Sequence, residues 1–241
     1  MKRPIFKRIV AYLIDVFVVL LVSSMFSNIA ILNPYLDEYS NLSEEYINIF
    51  NNTVPVETEN ISEVMNITTL LENETLLENM TYETSYYGIY VSIIAIVVSL
   101  LYFVVFQYFN DGKTIGKAIF GIKVVTNDMK KPKITSFLIR SLIINRIAVD
   151  TIGVILIRFA SEATYKEYSN ILDVIGFGLV LASFLLMIFR EDARGLHDLL
   201  ANTVVINSNW KEDEQEEYNN KVKEAKIIEK KKEKKVKKKW E

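Results

Sequence analysis

Apolar residues along this chain gather in long blocks instead of alternating with polar ones, and the blocks predict the elements. Four of them, roughly 9–29, 87–109, 134–159 and 171–189, are close to the twenty or so residues a helix needs to cross a bilayer core about 30 Å thick. The second is the cleanest, with no charge between Ile89 and Val105, and the fourth carries only Asp173 near its start. Asp15 lies within the first, and Arg140, Arg146 and Asp150 interrupt the third. Those three charges also suit an amphipathic helix lying along the interface. Counting crossings argues against that placement, because it would carry the positive charges after span four to the wrong side. A basic start before an apolar run fits a cleavable signal peptide, yet Asp15 within the run and the lack of a clear A-x-A site favour an uncleaved anchor.

Two short β-branched stretches stand outside the blocks: Gly121-Ile122-Lys123-Val124-Val125-Thr126 and Thr203-Val204-Val205-Ile206. Each alone would be an unpaired edge, so the two are expected to pair and clamp spans two and three to span four. The fold class predicted is an all-α membrane protein of four transmembrane helices with a small cytoplasmic β pairing, a large external loop and a disordered basic C-terminal tail. Residues 1–206 form the transmembrane domain, with the loop 30–86 inserted, and 207–241 form the tail.

Charge placement orients the chain. Lys2, Arg3, Lys7 and Arg8 precede span one, and Lys113, Lys117, Lys123, Lys130, Lys131 and Lys133 fill the connection after span two. Twelve more lysines follow Trp210, whereas the first connection has eleven acidic residues and no Lys or Arg. Basic residues are retained inside, so both termini are expected in the cytoplasm, with the plasma membrane the expected location. Asn41, Asn51, Asn60, Asn66, Asn73 and Asn79 each open an N-x-Ser/Thr sequon, all in that external connection, and are candidate glycosylation sites. Leu70, Leu71, Leu76 and Leu77 hint at one amphipathic helix there. The Lys-dense tail suits either a solubilising role or attraction to anionic lipid headgroups, at about 1 kcal/mol per basic residue near the surface.

Composition narrows the chemistry. The average of 50% hydrophobic and 24% charged residues hides the segregation, and the net charge of −2 describes no single surface. With no cysteine and one histidine, disulfides, thiolate chemistry and cysteine- or histidine-cluster metal sites are excluded or improbable; no metal, cofactor or nucleic acid is expected. Gly112 to Lys117 superficially resembles a phosphate loop, but three residues separate its glycines where four are needed, and Ala118 stands where Ser or Thr should.

The charges within spans carry the most information, since each costs about 2.5–3.5 kcal/mol to insert and must find a partner. Arg8 and Asp15 are about 10 Å apart along one helix and should not touch. Arg146 or Arg140 is the expected partner of Asp15, Arg146 can also pair with Asp150 four residues on, and Asn145 adds a neutral group. One reading has Asp15 and Asp150 line a path for a monovalent cation or proton; the other has Arg–Asp pairs staple helices together. Ala95 and Ser99, and Gly178 and Ala182, are candidate packing positions.

Three blocks in order, Phe6–Asp15, Thr114-Ile115-Gly116-Lys117 with Gly121–Val125, and Arg194-Gly195-Leu196-His197-Asp198 running on to Val205, resemble the RDD family of membrane proteins. The resemblance implies that Arg8 and Asp15 are the family's arginine and first aspartate and Asp198 its second. It implies little about activity beyond suggested transport, with cation/proton exchange proposed for some members. The long acidic loop and the lysine tail lie outside it. Lys117, Arg194, His197 and Asp198 then read as a cytoplasmic motif, with Asp198 capping a short helix or pairing with Lys117 or Arg194. One His-Asp dipeptide is weak ground for metal-dependent hydrolysis, and no enzyme is expected. The leading expectation is a homo-oligomeric ion transporter or antiporter-like subunit whose polar core is Arg8, Asp15, Arg140, Asn145, Arg146 and Asp150. The alternative is a membrane scaffold that recruits a partner through its loop or tail.

Overall fold

The computed structural model describes residues 4–53 and 74–209. Helix α1 (Ile5–Ser27) is apolar for most of its length, and its buried positions Arg8, Ala11, Asp15, Val19, Ser23 and Ser27 recur every three or four residues. That spacing places them in one stripe, facing the bundle, while Leu13, Phe17 and Leu20 point outward and stay exposed. Helices α2 (Leu36–Thr53) and α3 (Glu74–Tyr87) belong to the acidic connection. Helix α4 (Ile89–Phe109) follows, with Leu101–Phe106 wound as a π-helix. Then come the short α5 (Ile115–Ile119) and strand β1 (Ile122–Thr126).

The third apolar block departs from expectation. It is not one continuous span but two helices, α6 (Ile134–Ile144) and α7 (Ile147–Phe159), broken at Asn145 and Arg146. No Pro or Gly causes the break; Arg146 adopts the left-handed conformation at φ 57°. For a residue with a Cβ this costs roughly 1–2 kcal/mol, so tertiary contacts must hold it. The fourth block is longer than expected. Helix α8 (Glu162–Phe189) has 28 residues, about 42 Å at 1.5 Å per residue, so its first turns reach beyond an apolar core. The chain closes with α9 (Leu196–Leu200) and β2 (Thr203–Asn207).

Among the described residues three helices, α1, α4 and α8, are long and apolar enough to cross a membrane. The expected β pairing forms: β1 and β2 are antiparallel, with Val124 opposite Val205. The sheet packs against one end of the bundle, where Ala11, Val104, Ile122, Val124, Phe137 and Val205 make a closed core. The other end holds the acidic connection. There Ile89, Ile157 and Tyr165 pack with a cluster of tyrosines including Tyr35, Tyr82 and Tyr90. The α6–α7 pair runs between these ends, since α6 touches α9 and α7 touches α3. Of the small-residue positions singled out, Gly178 faces open space, so it does not mediate helix packing within the chain; Gly176 does, lying against Arg146 and Val149.

Candidate functional site

Asp15 sits fully buried at the sheet end, and its partners come from the connection after α4, not from the third block. Thr114 Oγ donates to Asp15 Oδ2 at 2.5 Å, and the Gly116 N–H and Tyr102 hydroxyl each donate to Oδ1 at 2.7 Å. Lys117 Nζ stands 3.7 Å from the same carboxylate. The local sequence explains the arrangement. Thr114 is the N-cap of α5, which turns the Gly116 amide and the Lys117 side chain toward Asp15. Gly116 is required for contact: a Cβ there would lie 2.2 Å from the Ala11 carbonyl oxygen. The π-helical stretch carries Tyr102, a setting in which such local widening often marks a functional position.

Asp198 is the second hub, also fully buried. Arg8 reaches Oδ2 and Arg140 reaches Oδ1, so one carboxylate is shared by guanidinium groups from α1 and α6. Asp198 also accepts the Gly195 N–H at 3.1 Å, capping α9, while Arg140 donates to Thr203 Oγ at 2.6 Å and Arg8 to the Ala193 carbonyl at 2.5 Å. Burial alone would push the Asp198 carboxyl up, but Arg140 and Arg8 outweigh it and hold it well below the usual carboxylate range. Gly195 is again a close approach, since a Cβ there would come 2.7 Å from the Ser183 carbonyl oxygen. Helices α1 and α6 are thereby tied at one point to the distant α9–β2 segment.

Ser183 bonds His197 Nδ1, and His197 Nε2 lies 3.5 Å from Asp198, the outline of a proton relay. Its chemistry is against that role. Burial, with Arg140, Arg8 and Lys117, lowers His197 to about 3 despite the opposing pull of Asp198. A general base works best with a pKa near the ambient pH, so this neutral imidazole serves as a packing and hydrogen-bonding group between α8 and α9.

Arg146 and Asp150 lie elsewhere, in a cleft of about 330 Å³ between α4, α7 and α8. Arg146 Nε is 3.6 Å from Asp150 and its Nη2 is 2.5 Å from Asp173 of α8. The guanidinium rests on Gly176, where a Cβ would be 3.0 Å from Nε. These side chains are one-third, two-fifths and about two-thirds exposed, and Ser92, Ser99 and Ser169 add hydroxyls to the walls. The cleft therefore holds one cation against two carboxylates.

The expected polar core thus divides. Arg8 and Arg140 belong with Asp198, Asp15 with Tyr102, Thr114, Gly116 and Lys117, and Arg146 with Asp150 and Asp173; Asn145 marks the helix break and hydrogen-bonds Ser141. The expected Arg146 or Arg140 partner of Asp15 is replaced by backbone, hydroxyl and lysine donors. Arg194 meets the Asp198 carbonyl at 3.3 Å, not its carboxylate, and Lys117 pairs with Asp15 instead. Tyr102, Thr114, Ser183, Thr203 and Asp173 went unremarked as site residues. A buried carboxylate needs three or four donors, and the hydroxyls flanking Gly116 and following Asp198 were the signal. Of the sequons, Asn41 and Asn79 lie exposed on α2 and α3 and Asn51 lies within α2; Asn60, Asn66 and Asn73 fall outside the described residues, as does the lysine tail. No group of His, Cys, Asp and Glu suited to a metal ion occurs among the described residues.

Long apolar helices around a web of buried charges mark an integral membrane protein. Its family follows from comparison: the RDD family pattern matches residues 2–202, and the chain belongs to that family. No curated protein and no solved structure matches it.

Proposed function

We propose that this protein is a small ion-transport subunit in which the cleft around Arg146, Asp150 and Asp173 takes a monovalent cation or proton. The observation that carries the reading is the broken helix lining that cleft. Non-helical backbone at membrane depth is tolerated only where protein or a water-filled cavity satisfies it, and interrupted helices recur at transporter binding sites. The break turns Arg146 between two carboxylates, leaving one surplus negative charge that a cation or proton can balance. In this reading α6 and α7 together make a fourth crossing, both termini are cytoplasmic, and copies associate because four crossings enclose little space. The acidic connection is then external, with Asn41 and Asn79 open to glycosylation; Asn79 accepts from Lys166 through Oδ1, which leaves its amide nitrogen for a glycan.

A second reading, a non-transporting scaffold, is favoured by the saturation of Asp15 and Asp198, which suits permanent helix fasteners. Flux into liposomes decides between them. With Na⁺, K⁺ and Ca²⁺ tested under an imposed pH gradient, folded wild type should carry a monovalent ion or protons. Absence of flux under every gradient supports the scaffold.

A further inference from the structure

At the sheet end a cavity of about 60 Å³ lies between α1, α4, α6 and α8, sharing Asn145 alone with the walls of the cleft of the proposed transport path. Arg8, Lys117, Arg140 and His197 contribute to its polar wall, and Phe103 and Phe184 to its apolar one. The charged groups around it do not balance. Arg8, Lys117 and Arg140 are three cations, whereas Asp15 and Asp198 are two carboxylates, each already filled by hydrogen bonds. Among the described residues the hydrogen bonds that Arg140 donates, to Asp198 and Thr203, both come from Nη1. A positive charge left uncompensated at a buried place is costly.

We infer that this cavity is a binding site for a phosphate-type oxyanion, held by Arg140, Arg8 and Lys117. Size and donor geometry select the class. A single water needs only about 10–15 Å³ of such space, so the cavity takes a polyatomic group in preference to one small ion. A guanidinium fork matches two oxygens of an oxyanion, and Lys117, which also lines the cavity, adds a point charge. The apolar wall lowers the local dielectric and strengthens the attraction. Burial pushes the Lys117 ammonium down to about 8 against the pull of Asp15, as expected where positive charge is under-compensated; a bound anion would raise it. The phosphate could be free or the headgroup of an anionic lipid entering between the helices.

The test uses the full chain in uncharged detergent at constant ionic strength, reading the thermal midpoint as chloride is replaced by inorganic phosphate, then as phosphatidic acid replaces phosphatidylcholine in mixed micelles. The wild-type midpoint should rise saturably with phosphate, or with phosphatidic acid alone if the group belongs to a lipid. Lys117→Gln should need about tenfold more ligand for the same rise. Ser141→Leu, which fills the cavity and leaves every lysine in place, should abolish the effect, and it decides the matter if Lys117→Gln does not fold. Equal midpoints in chloride, phosphate and phosphatidic acid overturn the site. So does a rise that survives in both variants, since that would belong to the lysine tail.

Discussion

The two polar regions of this molecule handle charge in opposite ways. At the sheet end, Asp15 and Asp198 are fully buried and every carboxylate oxygen is met by a donor. In the cleft, Arg146, Asp150 and Asp173 are partly exposed, unequal in sign and gathered at a strained break. A buried ion pair contributes little net stability over an apolar substitute, but breaking it by removing one partner is expensive. The sheet-end web therefore specifies which segments meet, whereas the cleft, partly exposed and unbalanced, is where the proposed transport would change occupancy without unfolding the bundle. Arg8, Asp15 and Asp198 all fall in the first region, where they fasten distant segments together.

Asp198→Asn is the most damaging way to test that division. It leaves Arg8 and Arg140 facing each other without a full countercharge, and a loss of about 3–5 kcal/mol is expected, read as a collapse of the thermal midpoint and of the monodisperse fraction in detergent. Gly116→Ala comes next. Its new methyl group would strike the Ala11 carbonyl, pushing α5 off α1, with a loss of about 1–3 kcal/mol by thermal unfolding. A midpoint within a degree of wild type would mean that α5 is not docked as described.

Acid sharpens the comparison further. Unfolded His197 takes a proton near 6.5, whereas the folded side chain resists until about 3. Between those values the unfolded state binds more protons, so stability falls as pH falls from 6.5 toward 3, by up to a few kcal/mol. His197→Asn should be less stable at neutral pH yet show a flatter midpoint over that window; an unchanged slope would place the acid sensitivity elsewhere. The smallest structural effect belongs to Asp150→Asn. Its partly exposed pair is worth at most about 1 kcal/mol, so the midpoint should barely move.

Much of this architecture was legible in the chain. The apolar blocks located α1, α4 and α8, and β-branched Ile122–Thr126 and Thr203–Ile206 identified the sheet, because burial length and strand preference are local properties. Pairing was not local. Asp15 and Arg146 both interrupt apolar runs, which made them look like partners, but they lie in different parts of the bundle, and only the return of Thr114–Lys117 against α1 supplies the donors. Nor does a Pro or Gly announce the break at Arg146, whose backbone is left-handed and whose side chain meets Asp150, Asp173 and Gly176. Asp173 stands near the start of an apolar block that begins at about residue 171, but the helix starts at Glu162, nine residues earlier than the block, and carries Asp173 into the cleft.

Flux and thermal stability measured on the same liposome-ready preparations of Asp15→Asn and Asp150→Asn test the division of labour most directly. The account predicts that Asp150→Asn keeps the wild-type midpoint and loses ion flux, while Asp15→Asn lowers the midpoint and loses flux only in proportion to the protein that fails to fold. Full flux through Asp150→Asn, or a stable Asp15→Asn protein that no longer transports, would contradict it.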